Sequence, residues 1–416
     1  MLKDIIDYVL KDPGEVIAVI SAMAALVATG IKSFNRRPKK TSQGGAFLTH
    51  SELLTPPMAR PAYSDRMSYI LAELSALAYF RFEDSEDGTL QLAIEKFREL
   101  KGENDTRFDE MISEVLKEYQ DDLLLHAVDS KKVLAEMLKK ADFELVDTIN
   151  VGTTQGFACK RVKEDETPYL VIAYRGTELE LQDWLTDANA VPAEGLPKDI
   201  KVHKGFWQAL HDKPGATSQS VLERVTDILS SNDARHEGQV IPCFITGHSL
   251  GGALALLTTR EVAADINGAC YTYGAPRVAN YEYFANMKTP VYRVVNSSDI
   301  VPRVPPGAGM GVLLKLVQAL SWTTQFIPGL KEPLEWLEQK IDELNGYRHH
   351  GDQRYLTDMK SNNFKELHLL SNPPLLDRVW WMWQHIRKSL WEPVNSHGMA
   401  IYRHKLLHIA QSRNQT

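Results

Sequence analysis

TGHSLGGALALL, residues Thr246 to Leu257, is the stretch on which the fold of this 416-residue chain turns. Ahead of it lies Val240-Ile241-Pro242-Cys243-Phe244-Ile245, fully apolar and of strand length. After the turn, Leu250 to Ala264 is rich in Ala and Leu and reads as a helix. Gly247-His248-Ser249-Leu250-Gly251 is thus a G-x-S-x-G in the strand–turn–helix setting of a nucleophile elbow. A serine on so sharp a turn has a strained backbone, and the positions two residues either side must be glycine to avoid clashes. Gly251, Gly252, Ala253 and Ala255 let the helix pack closely on the strand. The helix N-terminus points its dipole at Ser249 and favours negative charge developing there. A bare G-x-S-x-G recurs by chance in many chains; the flanking strand and helix make Ser249 a candidate nucleophile.

A serine nucleophile needs a base and an acid to orient it, and in chains with this elbow both follow the serine. PVYRVVN (290–296) reads as a buried strand, with Ser297-Ser298-Asp299 at its C-terminal end. Catalytic groups of α/β sheets gather at that edge, which makes Asp299 the candidate acid. The plainer reading of Asp299 is a turn or cap residue. Seven histidines follow it (His349, His350, His368, His385, His397, His404 and His408), and chain order does not choose among them.

Lys plus Arg number 47 and Asp plus Glu 54, a net charge of −7, which excludes a generally basic nucleic-acid binder. Apolar residues at 44% and charged residues at 24% suit a globular protein with a sizeable core. Cys159, Cys243 and Cys270 cannot form a disulfide framework and do not stand at metal-ligand spacing. The length suggests two or three units. The pattern divides them into an N-terminal segment 1–60, a mostly helical part 61–142, and an α/β part 143–416.

In the first segment, Val16 to Ile31 carries no charge. As a helix it would be about 24 Å long, slightly short of the hydrocarbon core of a bilayer. An acidic start (Asp4, Asp7, Asp12, Glu15) and the late apolar block disfavour a secretory signal. The stretch reads as a short membrane anchor, with a buried core helix as the alternative. If it spans, Lys32, Arg36, Arg37, Lys39 and Lys40 stay inside and the rest of the chain faces the cytoplasm. Residues 36–61 then read as a linker. SDRMSYILAELSALAYF (64–80) has helical periodicity with Ser64 as N-cap, and 89–140 is helical with a charged, solvated face. Beyond Asp142, FELVDTI, GFACKRV and PYLVIAY read as strands.

Taken together, YRGT (Tyr174–Thr177), DWLTD (Asp183–Asp187), HKGFWQAL (His203–Leu210), GHSLGG, YGAPRVAN (Tyr273–Asn280) and NSSDIVPRVPP (Asn296–Pro306) resemble the class 3 lipase family. YRHHGDQRYL (Tyr347–Leu356) and SHGMAIY (Ser396–Tyr402) extend the likeness, in the family's order, over about residues 145 to 405. The resemblance implies an α/β-hydrolase fold, a mostly parallel sheet flanked by helices. It also implies which histidine is the base: His397, in an H-x-x-x-x-Y segment with Tyr402, whereas His349 and His350 sit in a strand just past the acid. By the same likeness Thr177 supplies one oxyanion-hole donor, and the N–H of Leu250, after the nucleophile, supplies the other. His248 is expected to pack behind the serine, and His203 to cap or pack under GFWQAL. Arg175 and Asp183 are expected to be structural.

The expected function is a serine carboxylester hydrolase releasing fatty acid from acylglycerols at a lipid interface. The rivals are a phospholipase A1-type enzyme, a soluble esterase of small substrates, and a catalytically silent binding module. No cofactor is implied, since a carboxylate–imidazole pair moves the proton. The expected partners are an acyl lipid and a membrane or lipid interface, with no nucleic acid; oligomeric state leaves no trace in the sequence. Two features outside the family pattern bear on the interface. Residues 307–345 form an insertion with a helical apolar stripe at Leu330, Leu334, Leu337, Ile341 and Leu344, a pattern more often of core packing than of a membrane face. RVWWMWQHIRKSLW (378–391) mixes Trp380, Trp381, Trp383 and Trp391 with basic residues, a composition suited to a lipid–water boundary or to a helix packed over the sheet.

Overall fold

The computed structural model describes residues 47–55, 60–79, 130–164, 166–176, 193, 195–215, 218–262, 267–297, 299, 301–304, 346–357, 367–374 and 396–414. The expectations for 16–31, Thr177, Asp183, the insertion 307–345 and the tryptophan-rich 378–391 fall outside these residues. Among the described residues, no helix is long and apolar enough to cross a membrane.

The elements in chain order are α1 (Asp65–Leu77), α2 (Ser130–Lys139), β1 (Phe143–Val151), β2 (Thr154–Arg161), β3 (Tyr169–Tyr174), α3 (Lys204–His211) and α4 (Val221–Ser230). A short ribbon, β4 (Arg235–His236) and β5 (Gln239–Val240), precedes β6 (Cys243–His248) and α5 (Leu250–Glu261). Then come β7 (Cys270–Tyr273), α6 (Tyr281–Phe284), β8 (Val291–Asn296), β9 (Asp352–Leu356), β10 (Leu369–Ser371) and α7 (Met399–Asn414). The main sheet has the order β1-β2-β3-β6-β7-β8-β9-β10. From β3 to β9 neighbouring strands run parallel, while β1, β2 and β10 add antiparallel edges. A parallel sheet covered by helices, with the serine turn between β6 and α5, is the α/β-hydrolase arrangement.

The apolar run expected to be one strand over 240–245 is divided in the structure. Val240 belongs to the ribbon and is 50% exposed, and the sheet strand begins at Cys243. Pro242 separates the two: it has no N–H to give a ladder, and its carbonyl instead accepts the Leu170 N–H at 2.9 Å.

Side chains of the central strands alternate between two cores, as a period of two demands. Tyr169, Val171, Ala173, Phe244, Tyr271, Tyr273, Tyr292 and Val294 face α1, α2 and α7. Leu170, Ile172, Tyr174, Cys243, Ile245, Cys270 and Val291 face α3, α4 and α5. Helix α1 therefore shares a core with the sheet. Ser64 caps it, accepting the Met67 N–H, and every residue from Met67 to Leu77 is buried. A helix apolar all round needs cover on all sides, and here the sheet and α7 supply it. Two of its buried polar side chains, Ser75 and Glu73, are matched. Ser75 Oγ meets Thr246 Oγ1 at 2.9 Å, and Glu73 accepts from the Arg403 guanidinium at 2.7 and 2.8 Å and from the Leu48 N–H at 2.9 Å.

His203 stands at the N-cap position of α3 but makes no side-chain cap. Of the two roles expected for it, packing is the one found: its ring centre lies 4.5 Å from that of Phe206 and 6.4 Å from that of Tyr347. Burial pushes its pKa down from 6.5 to about 3. Between those values the unfolded chain binds a proton that the folded chain refuses, so this group's contribution to stability is full above 6.5 and is lost as pH falls towards 3. His203→Gln cannot take up that proton. The Tm difference between wild type and His203→Gln, measured by calorimetry, is expected to be largest at neutral pH and to shrink as pH falls from 7 to about 4.

Candidate active site

Ser249 sits between the last residue of β6 and the first of α5 with φ +58° and ψ −125°, a backbone that L-residues rarely adopt and that costs about 1–3 kcal/mol. Neighbours over-determine it. Its N–H donates to the Tyr273 carbonyl at 2.9 Å, and its own carbonyl accepts from Gly252 N at 3.0 Å and Ala253 N at 3.2 Å. The two flanking glycines are required by contact. A Cβ on Gly247 would run into the Gly251 carbonyl group, and one on Gly251 would lie 2.5 Å from the Tyr174 carbonyl oxygen. Strand β6, the start of α5 and the end of β3 therefore meet without room for a methyl group.

Of the seven histidines left open by chain order, the structure brings His397 to the serine. Its Nε2 is 2.9 Å from Ser249 Oγ, and its Nδ1 lies 3.0 and 2.9 Å from the two carboxylate oxygens of Asp299. A carboxylate only accepts, so Nδ1 donates to Asp299 and Nε2 presents a lone pair to the serine hydroxyl. All three residues are buried. His349 donates to the Pro302 carbonyl at 2.6 Å, and His350 stacks on Phe284. His368 and His404 are exposed and His408 is half-buried on α7. His385 lies outside the described residues.

Asp299 follows β8, as expected, and its oxygens are fully engaged. Oδ1 accepts the Val301 N–H at 2.9 Å, and Oδ2 accepts the Tyr402 hydroxyl at 2.6 Å. Burial and the Asp299 charge push Tyr402 well above the usual tyrosine range, which keeps it a donor to the carboxylate. The same hydroxyl accepts the Asn296 N–H at 3.0 Å. Asn296 in turn donates from Nδ2 to the Ser396 carbonyl at 2.9 Å and accepts Lys405 Nζ at 2.7 Å. One asparagine at the end of β8 therefore ties the acid strand to the histidine loop and to α7.

Leu250 opens α5, where the first N–H groups of a helix lack intrahelical acceptors, so a free donor is positioned beside Ser249. Thr177 itself is outside the described residues. Gly176 before it is described, and a Cβ there would lie 3.3 Å from the Ser249 Cβ. Arg175 bonds Gln155 on β2 through both its backbone N–H and its guanidinium, in keeping with a structural part. Among the described residues, no group of three or more His, Cys, Asp and Glu side chains is placed to hold a metal ion.

Several residues that the structure places at the site had no role in the sequence reading. Gly274 has φ +58°, and a Cβ there would lie 2.7 Å from Asp299 Oδ2 and 3.1 Å from the His397 ring. It occurs in YGAPR, a motif noted only for its family likeness. His248 was expected merely to pack; both of its ring nitrogens instead make hydrogen bonds, one of them to Tyr79. Tyr79 carries no sequence signal at all. Because Gly274 leaves room for the acid–base pair, Gly274→Ala should slow fluorophosphonate labelling of Ser249 by about 100-fold through a displaced histidine. Labelling kinetics followed by mass spectrometry check this, with circular dichroism to show that the variant is folded.

Residues 171–308 match the family model described as lipase (class 3). The chain is 32% identical over 154 residues to a lipase of Rhizomucor miehei, covering 35% of this chain and 39% of that protein. It is 31% identical over 162 residues to a secreted mono- and diacylglycerol lipase of Fusarium solani, covering 38% of this chain and 45% of the relative. A chloroplastic phospholipase A1 of Arabidopsis thaliana, Igamma1, is 26% identical over 258 residues, covering 49% and 50%. The matches thus span half or less of the length of these relatives. Residues 171–308 of this chain are thus similar to the class 3 lipases.

Proposed function

We propose that the protein is a serine carboxylester hydrolase that releases fatty acid from acylglycerols at a lipid interface. The observation that carries this reading is the continuous hydrogen-bonded path from Ser249 Oγ through the His397 ring to the buried Asp299 carboxylate. His397 Nε2 takes the hydroxyl proton as Oγ attacks the ester carbonyl. Asp299 holds the Nδ1 proton in place and stabilises the imidazolium that forms. The carbonyl oxygen gathers negative charge, which the Leu250 N–H and Thr177 stabilise; each such donor is worth about 2.7–4 kcal/mol. The imidazolium returns its proton to the departing glycerol oxygen, leaving an acyl-enzyme. Water, deprotonated by the same histidine, then frees the fatty acid.

The acylglycerol substrate is supported by relatives named lipase and mono- and diacylglycerol lipase. A phospholipase A1-type reaction is the second reading, supported by relatives of that name which match longer stretches of this chain, 258 and 273 residues. The uncharged stretch 16–31 and the basic residues after it support attachment to a membrane with the catalytic part facing the cytoplasm.

Purified wild type is expected to release fatty acid from an acylglycerol emulsion, and Ser249→Ala to lose that activity by on the order of 10⁶-fold. Asp299→Asn should lose on the order of 10⁴-fold, because the histidine tautomer is no longer enforced. Faster, Ser249-dependent release from phospholipid vesicles than from the emulsion would replace the first reading by the second. Turnover of short soluble esters alone would identify a small-ester esterase. No release from any of them by folded protein would leave a silent binding module.

A further inference from the structure

His248 is the residue immediately before the nucleophile, and its side chain leaves β6 on the face that meets α1 and α7. Its Nε2 lies 2.7 Å from the main-chain carbonyl oxygen of His397. Only an N–H bonds a carbonyl, so Nε2 carries the proton of this ring. Nδ1 then has a lone pair, and the Tyr79 hydroxyl, 2.7 Å away, donates to it. Burial, and the His397 ring nearby, hold His248 well below the usual histidine range, so it stays neutral and keeps one tautomer. The His248 and His397 rings lie 4.5 Å apart and tilted by 30°, close enough to pack face on face.

Two consecutive residues, the last of β6 and the first of the turn after it, therefore hold His397 at two points: His248 meets its main chain and Ser249 its ring. Asn296 holds the residue before it, through the Ser396 carbonyl. The segment that carries the base comes 148 residues after the serine, so nothing local keeps the two in register. A histidine free to shift by an ångström would leave the serine hydroxyl without a base. We propose that His248, its tautomer set by the His397 carbonyl and complemented by Tyr79, is a positioning residue for the reaction. It locks the His397 main chain to the strand that leads into Ser249. This inference rests on the hydrolase reading given above.

The test uses the full chain and a p-nitrophenyl butyrate assay with four variants. His248→Leu removes both hydrogen bonds. His248→Gln keeps an N–H where Nε2–H stands. Tyr79→Phe removes only the hydroxyl that donates to Nδ1, at a half-buried site where the ring is retained. Ser75→Ala removes the Ser75–Thr246 bond, a contact between α1 and β6 that does not touch His397. His248→Leu is expected to lower kcat by about 10- to 100-fold with KM unchanged, His248→Gln to recover most of the loss, and Tyr79→Phe to fall between them. Ser75→Ala should lower Tm but leave kcat alone. Equal losses in His248→Leu and His248→Gln, an unchanged kcat in folded His248→Leu, or an equal kcat loss in Ser75→Ala would overturn the proposal. If His248→Leu does not fold, Tyr79→Phe decides by the same criterion. Nitrogen NMR of the histidine rings gives a readout independent of turnover: His248 should be protonated at Nε2 in wild type, and an Nδ1-protonated ring would overturn the proposal. Wild type that is folded, with His248 in the expected tautomer, yet hydrolyses no ester would overturn the hydrolase reading instead.

Discussion

The hydrogen bond from the Ser249 N–H to the Tyr273 carbonyl holds a non-glycine residue at positive φ, and the site is arranged around that bond. It joins the end of β6 to the end of β7, so the turn stays sharp only while the two strands are in register. The strain at one residue is a small part of the stability of a domain, but it is local and recurs whenever the turn forms. What offsets it is close packing: Gly247 against Gly251, Gly251 against the end of β3, and Gly252 against Gly247 and Ala275. Remove that fit and the serine relaxes out of reach of its base.

Asp299 and His397 reach this turn by different routes. Asp299 arrives directly from β8, two strands away from β6 in the sheet, and is saturated by a backbone N–H, a tyrosine hydroxyl and the histidine. His397 arrives from the loop before α7 and depends on side chains from elsewhere in the fold. Asn296, Tyr402 and Lys405 form a buried network on one side of that loop, and His248 with Tyr79 forms a second on the other. Because every member is satisfied, these networks specify one arrangement of the loop.

Strands β3 and β8 and the serine turn were legible in the sequence because apolar runs and a glycine-bounded serine are local signals. The start of β6 was misjudged because apolarity continued through Pro242, whose missing N–H ended the ladder where hydropathy did not. Asp299 could be proposed from its place after a strand. The choice of His397 came from family likeness alone. Its meeting with Ser249 is set by the order of strands in the sheet and by α7 packing on α1, and neither is encoded in spacing along the chain. His248 was taken for a packing residue for the same reason. Its partners are 169 and 149 positions away, and a histidine in an apolar setting gives no hint of which groups will meet its nitrogens.

The burial of α1 between the sheet and α7 has a consequence for how the protein is made. Glu73 on α1 and Arg403 on α7, the helix that covers it, stand 330 positions apart, so α1 is synthesised long before its cover. Between Ser249 and His397 alone, 148 residues must be added, which takes roughly 7 to 30 s at ordinary rates of translation. For that interval the nascent chain carries Ser249 without His397 and α1 without α7. Until the segment with His397 has followed, the Ser249 hydroxyl lacks the imidazole that it meets in the folded protein.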